Sequence, residues 1–346
     1  MLKVAAIGVG YWGPNLVRNL AALENVSVTV VCDINALRAE TIRQRFCPGA
    51  RVVADYRELA ADPEVDAVVI ITPIVTHCEL GSFFLAAGKH VLIEKPMART
   101  VAECEQMIRL AEVNQRVLMV GHVFRFNLAV QRIKQYVDQG DLGKLFYIYS
   151  QRVNLGRIQQ DINALWSFAP HDISIINFWL GEEPVQVSAR GFSYLNRGIE
   201  DVVFLELNYP SGVGAHMHLG WLDPRKVRLM TLVGSRKMVV YDDISVDAKI
   251  QVYDKSIDKL EEYLDDPESF AQFQFQIKTG DLVIPTVPFG EPLQAECRHF
   301  IECIDQGKRP LTDGWDGLRV VKVLEAAEQS LLQNGAPVSL PTVSGV

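Results

Sequence analysis

The sequence predicts an α/β protein of two domains, a doubly wound parallel sheet followed by a domain with an open, largely antiparallel sheet. Three observations predict it. Up to about His122, short apolar runs rich in β-branched residues alternate with segments of helical period. Beyond His122, strand-like runs follow one another across short turns. A glycine cluster joins the first run to the first helical segment. At 346 residues the chain can bury two cores, and the division is expected between 1–122 and 123–346.

In the first half, strands are expected over 3–7, 27–32, 67–71, 90–93 and 117–120, with helices over 13–23, 36–46, 76–87 and 101–114. In the last helix Val101, Cys104, Ile108 and Ala111 fall on one face, with Thr100 as N-cap; Gly88 suits the C-cap of the helix before it. In the second half, a helix over 128–139 precedes a strand over 145–151, and a helix over about 171–180 is closed by Gly181. Strands follow over 185–192, 202–209, 214–222, 227–233 and 237–241, divided by turns such as Tyr209-Pro210-Ser211-Gly212. Residues 255–292 show little period and read as a peripheral excursion or oligomer contact. Helical period returns over 294–305 and 317–333.

Composition excludes several classes. With 49% hydrophobic and 22% charged residues the chain has the balance of a soluble globular protein. Its net charge of -8 and lack of basic runs argue against nucleic acid as a partner. Six scattered cysteines with no C-x-x-C pair indicate neither a disulfide framework nor a zinc ribbon. His216 and His218 alternate on a strand without a third ligand at metal spacing, so they read as structural and no metal is expected. The N-terminus carries no basic signal region, and no apolar run nears the roughly 20 residues that span a bilayer. A cytoplasmic protein without a membrane partner is the expectation.

Gly8-Val9-Gly10-Tyr11-Trp12-Gly13 has the G-x-G-x-x-G spacing. It follows a strand, opens a helix, and precedes a second strand ending at Asp33, 20 residues after Gly13. Gly8 permits the tight turn, Gly10 lets the backbone approach a diphosphate, and Gly13 lets the helix pack close to the strand. The diphosphate would lie on free N–H groups at the helix start. Asp33 would accept from the adenosine ribose hydroxyls and repel a 2′-phosphate, which favours NAD over NADP. Arg38, five residues on, is the one group that argues for NADP, and it equally suits an exposed helix position. Trp12 suits either the cofactor or packing.

The strand over 90–93 runs into Glu94-Lys95-Pro96, which puts a lysine at the carboxyl edge of a parallel sheet, where ligands bind in doubly wound folds. Proline restricts the backbone on both sides of that bond. A lysine so held could polarise a substrate oxygen, and could equally be a surface residue at a strand end. Taken together, the glycine motif, Thr72-Pro73 with His77, Glu94-Lys95-Pro96, Gly121-His122-Val123-Phe124-Arg125-Phe126-Asn127 and Pro170-His171-Asp172 resemble the glucose-fructose oxidoreductase/inositol dehydrogenase/MocA family over nearly the whole chain.

That resemblance implies a Rossmann domain plus an α/β domain with an open sheet, a nicotinamide cofactor, sugar or cyclitol substrates, and dimers or tetramers built through the second sheet. It implies that Thr72, Pro73, His77, Glu94 and Lys95 join Tyr11, Trp12 and the glycines at the cofactor, and that Lys95 and His171 carry the chemistry. The proton would go to either His171 or Lys95: imidazole titrates near pH ~6.5, which suits His171 as base, and Lys95 would in either case stabilise the developing alkoxide. Where the family often has an acid four residues before the histidine, this chain has Ser167. Within the family, the stretch from Asn154 to Ile175 is similar to dehydrogenases that oxidise C3 of UDP-N-acetylglucosamine or its uronate. Arg125 and Arg157 would then clamp a diphosphate or uronate, Asn163 would contact sugar hydroxyls, and His122 would lie at the substrate. Each has a structural alternative: a surface salt bridge, a turn cap, or a satisfied buried histidine. The expected activity is NAD-dependent oxidation of a sugar-nucleotide ring hydroxyl, with a free sugar or inositol dehydrogenase as the second reading and a non-catalytic dinucleotide-sensing regulator as the third.

Overall fold

Valine and isoleucine dominate the first strands because β-branched side chains suit a pleated surface buried on both faces. The computed structural model describes residues 1–156, 158–160, 162–259 and 275–341. It divides into two units, Met1–Asn127 with Gly290–Glu325 and Leu128–Phe289 with Ala326–Val346. In the first unit, β1 (Leu2–Ile7), β2 (Val26–Cys32), β3 (Arg51–Val53), β4 (Ala67–Ile70), β5 (His90–Glu94) and β6 (Leu118–Gly121) are all parallel, in the order β3-β2-β1-β4-β5-β6. Only β3 escaped the sequence reading, because three residues carry no usable period.

Helices α1 (Gly13–Ala21), α2 (Ala36–Phe46), α3 (His77–Ala86) and α4 (Val101–Val113) connect these strands. Asn35 and Thr100 cap α2 and α4, their side chains accepting from the N–H groups of Arg38 and Glu103. With the strand order reversing beside β1, the carboxyl ends of β1, β4 and β5 form the edge at which such a sheet takes ligands.

The second unit begins with α5 (Leu128–Asp138), β7 (Leu145–Val153) and α6 (Ala164–Leu180). Helix α6 starts seven residues before the expected position: Asn163 caps it, and Pro170 sits inside it rather than ahead of it. The sheet adds β8 (Gln186–Phe192), β9 (Val202–Asn208), β10 (Gly214–Gly220), β11 (Val227–Gly234), β12 (Met238–Asp242), β13 (Ile250–Lys259), β14 (Phe275–Val283) and β15 (Val338–Ser339). Its order is β14-β13-β12-β11-β7-β10-β9-β8-β15, antiparallel throughout the described pairs except β7 with β10.

On β9, Val203, Leu205 and Leu207 are buried while Phe204, Glu206 and Asn208 are exposed. The exposed face carries ring stacks, Phe204 on His218 with centroids 4.7 Å apart and Tyr149 on His216 at 5.6 Å. The pair β13 and β14 falls where an excursion was expected. From Ile277 to Val283, β14 is exposed on both faces, so no alternation marks it in the sequence.

Two more helices complete the chain, α7 (Pro292–Gln306) and α8 (Gly314–Leu332). Leu293, Cys297, Phe300 and Ile301 of α7 join the core that holds Val4, Leu16, Leu20 and Val69. A division into 1–122 and 123–346 therefore does not describe the contacts: residues 290–325 return to the first unit because the apolar stripe of α7 is buried there.

Candidate active site

The glycine loop is shaped by contacts that other residues could not make. Gly8 has φ +81°, and a Cβ there would sit 2.5 Å from the Thr72 methyl. At Gly13 a Cβ would meet the Gly8 carbonyl oxygen at 3.0 Å, which sets how closely α1 approaches the strand. Gly10 differs: a Cβ there would meet no atom of the described residues within 4 Å apart from its own chain neighbours. Nothing in the fold asks for glycine at that position, so the requirement fits a ligand backbone contact instead. Tyr11 is 84% exposed beside it.

Asp33 is buried at the end of β2, and its carboxylate ties the loop down by accepting from the N–H groups of Val9 and Asn35, both at 2.8 Å. It retains lone pairs for a ribose diol. Arg38 lies in the first turn of α2, where its backbone N–H is taken by Asn35. Loop, helix start and acid fit an NAD adenosine diphosphate. Asp33→Ala should weaken NAD binding by about tenfold or more, measured by calorimetry, because it removes both the ribose acceptor and the loop anchor.

Along the carboxyl edge, β5 ends in Glu94 and Lys95 follows, its N–H donating to the Glu94 carboxylate at 3.2 Å. Trp12 of the glycine loop helps hold the Glu94 carboxyl down. Burial pushes the Glu94 carboxyl up to about 7, against the pull of the Lys95 charge. His77, expected at the cofactor, is instead a buried brace: Nδ1 lies 2.9 Å from the Pro96 carbonyl and Nε2 2.9 Å from the Thr72 carbonyl. Burial lowers its pKa, opposed by the two carbonyl contacts, which favour a ring that donates from both nitrogens. Thr72 accordingly contributes its carbonyl to that brace, and its hydroxyl is 2.7 Å from that of Thr76. Pro73 leads into the turn before α3.

His122, just past β6, is 2% exposed, and neither ring nitrogen has a hydrogen-bond partner among the described residues. Burial, with the charges of Arg125 and Lys95, pushes its pKa down to about 3, so it is a neutral imidazole. Arg125 corrects an expectation. Rather than reaching for a substrate anion, it is buried and donates to both oxygens of Asp316, at 2.9 and 3.1 Å. Asp316 had no sequence signal, standing 191 residues away.

In the second unit, His171 lies within α6 rather than at its start. Its neighbour Asp172 cannot stand in for the acid missing at Ser167. That carboxylate is 1% exposed and accepts from Arg152 Nε at 2.7 Å and from Ser150 at 2.8 Å. Asn163 is corrected as well: it caps α6, and its amide donates to Glu200 and Glu328, leaving it a junction residue rather than a sugar contact. Arg157 lies outside the described residues.

Sequence reasoning missed Glu296 altogether. It is fully buried on α7, and neither carboxylate oxygen has a partner among the described residues. The available signal was an acid set among Leu293, Cys297 and Phe300 on an apolar stripe.

Residues 2–122 match a family described as "Oxidoreductase family, NAD-binding Rossmann fold", and 130–240 match the "GFO/IDH/MocA C-terminal domain". An inositol 2-dehydrogenase of Salmonella paratyphi B is 28% identical over 186 residues, 53% of this chain and 55% of that protein. The match thus spans about half the length of that relative. Among solved structures, an aldose-aldose oxidoreductase from Caulobacter crescentus, complexed with glycerol, is 22% identical with TM-score 0.80, covering 98% of this chain and 99% of the other. A UDP-N-acetylglucosamine 3-dehydrogenase from Acidithiobacillus ferrooxidans is 23% identical with TM-score 0.76, covering 96% and 97%. These two likenesses concern the fold. With these two matches the chain belongs to the GFO/IDH/MocA oxidoreductase family, and residues 2–122 are its NAD-binding Rossmann domain.

Proposed function

We propose that the protein is an NAD-dependent dehydrogenase that oxidises a ring hydroxyl of a cyclitol or free sugar. The observation that carries this reading is Lys95, placed at the carboxyl edge of β5 on the sheet whose glycine loop and Asp33 fit the dinucleotide. NAD, when bound, supplies the hydride acceptor for the carbinol carbon. Lys95 donates to the reacting oxygen and stabilises it as negative charge develops. His171 takes the proton that leaves that oxygen. His122, neutral and with both ring nitrogens uncommitted, is suited to a substrate hydroxyl.

The sugar-nucleotide reading loses support at Arg125, whose guanidinium is committed to Asp316 and so is not free to clamp a diphosphate or uronate. A neutral polyol needs no such clamp. The test is to supply NAD with myo-inositol, free hexoses, UDP-N-acetylglucosamine and its uronate, and to follow absorbance of the reduced nicotinamide. Turnover of a free polyol is expected. Turnover confined to the UDP-linked compounds would return the substrate to the sugar nucleotides, and NAD binding without any oxidation would favour a sensor.

A further inference from the structure

The parallel sheet has a second edge, away from the chemistry. His90 opens β5 and Leu118 opens β6, so both stand at the amino edge, His90 roughly 13 Å along its strand from Glu94. A cavity of about 610 Å³ lies there, walled by the last turns of α4, the end of α7 and the start of α8, all within the first unit. Small-molecule sites have volumes of this order. Ile108, Ala111 and Leu118 give it an apolar wall. Three cationic side chains, Arg116, Lys308 and Arg309, line it against two carboxylates, Glu112 and Asp313. Both carboxylates are engaged: Asp313 is paired with Arg309, and Glu112 accepts from the Trp315 indole at 3.2 Å. Arg116 and Lys308 have no ion pair among the described residues. In a chain of net charge -8, the cavity thus carries a local excess of positive charge.

His90 makes that excess specific. Its Nδ1 accepts the Val117 N–H at 3.0 Å, which in a neutral ring leaves the one ring proton on Nε2. Nε2 in turn lies 3.3 Å from Arg116 Nη1. Neither the neutral nor the protonated ring can accept from both neighbours, so the Nε2–H and the guanidinium are two donors turned towards each other. Burial, with the Arg116 charge, pushes the His90 pKa down to about 4, which keeps the ring neutral. A single anionic oxygen placed beside them satisfies both donors, and hydrogen bonds to a charged acceptor are the stronger ones. We propose that this cavity binds a small organic anion, its phosphate or carboxylate held by Arg116, Lys308 and the His90 Nε2–H, and its apolar part against Ile108, Ala111 and Leu118. The site stands at the opposite edge of the sheet from the glycine loop and Lys95, and the proposal does not rest on the NAD reading.

Calorimetric titration with phenyl phosphate, benzoate, inorganic phosphate and benzyl alcohol tests this, with saturating NAD present to cover the glycine loop. Phenyl phosphate or benzoate should bind with a dissociation constant of about 1 mM or lower, and the tighter of the two identifies the anionic group. Inorganic phosphate should bind at least about threefold more weakly than phenyl phosphate, because it leaves the apolar wall uncovered. Benzyl alcohol, which has no charge, should give no measurable heat. Arg116→Gln should weaken the organic anion by about tenfold and Lys308→Gln by about threefold. Both residues are exposed, so the NAD dissociation constant should stay within about twofold of wild type in each variant. Wild-type affinity in the doubly substituted protein overturns the proposal, as does benzyl alcohol or inorganic phosphate binding as tightly as phenyl phosphate. Absence of binding by either organic anion up to about 10 mM also overturns it. Anion binding that disappears when NAD is added would belong to the glycine loop and would equally sink the cavity assignment. Should NAD fail to bind, the cofactor reading falls, while the two substitutions still report on the cavity.

Discussion

Lys95→Ala should lower kcat/KM for the oxidised polyol by about 10²–10³-fold, with the loss falling on kcat rather than on the NAD dissociation constant. The reason is where the charge develops. Removing hydride from the carbinol carbon leaves negative charge on its oxygen, and an ammonium group fixed at the end of β5 acts on that charge most strongly in the transition state. His171→Ala should cost a comparable factor, about 10²–10⁴-fold, as expected for a general base. The double replacement should be at least as poor as the poorer single one. Steady-state rates and NAD calorimetry on the three variants separate these effects. Turnover that survives the double replacement would remove both residues from the chemistry.

Arg152→Met should destabilise the second unit by about 3–5 kcal/mol. Arg152 on β7 is 3% exposed and Asp172 on α6 is 1% exposed, and the two are joined by the Nε contact at 2.7 Å. Taking away the arginine leaves a buried carboxylate whose remaining side-chain hydrogen bond among the described residues is the one from the Ser150 hydroxyl. The pair itself contributes much less than its disruption costs, because both charges were desolvated to form it. Combining Arg152→Met with Asp172→Leu should therefore recover much of the lost stability. Chemical denaturation monitored by circular dichroism on the single and double variants measures both quantities. A single variant as stable as wild type would mean that water or another residue reaches Asp172.

The parallel sheet was legible because its longer strands are largely apolar, and because the glycine loop and Asp33 stand at fixed distances from those runs. Lys95 follows β5 as its motif implied, whereas His171 lies inside a helix that starts seven residues earlier than its local pattern suggested. What stayed hidden was pairing over long separations. Arg125 and Asn163 have the chemistry of ligand contacts, and only the arrival of Asp316, Glu200 and Glu328 from elsewhere in the chain turns them into internal braces. His77 is the same case, a polar side chain whose partners are carbonyl groups that no residue pattern reveals. The course of α7 was hidden for a related reason: its apolar stripe declares that the helix is covered, but not by which sheet.

Gly10 separates two demands that usually coincide. Since no atom of the described residues apart from its own chain neighbours lies within 4 Å of where its side chain would begin, alanine there disturbs no packing, and the fold should accept it. A library of variants ranked by expression or melting temperature would count that substitution as harmless, and would even favour it for restricting the unfolded chain. Ranked by retention on an immobilised dinucleotide, the same library should discard it. Disagreement between the two rankings at a single position would mark where this chain meets its cofactor without any structure of the complex.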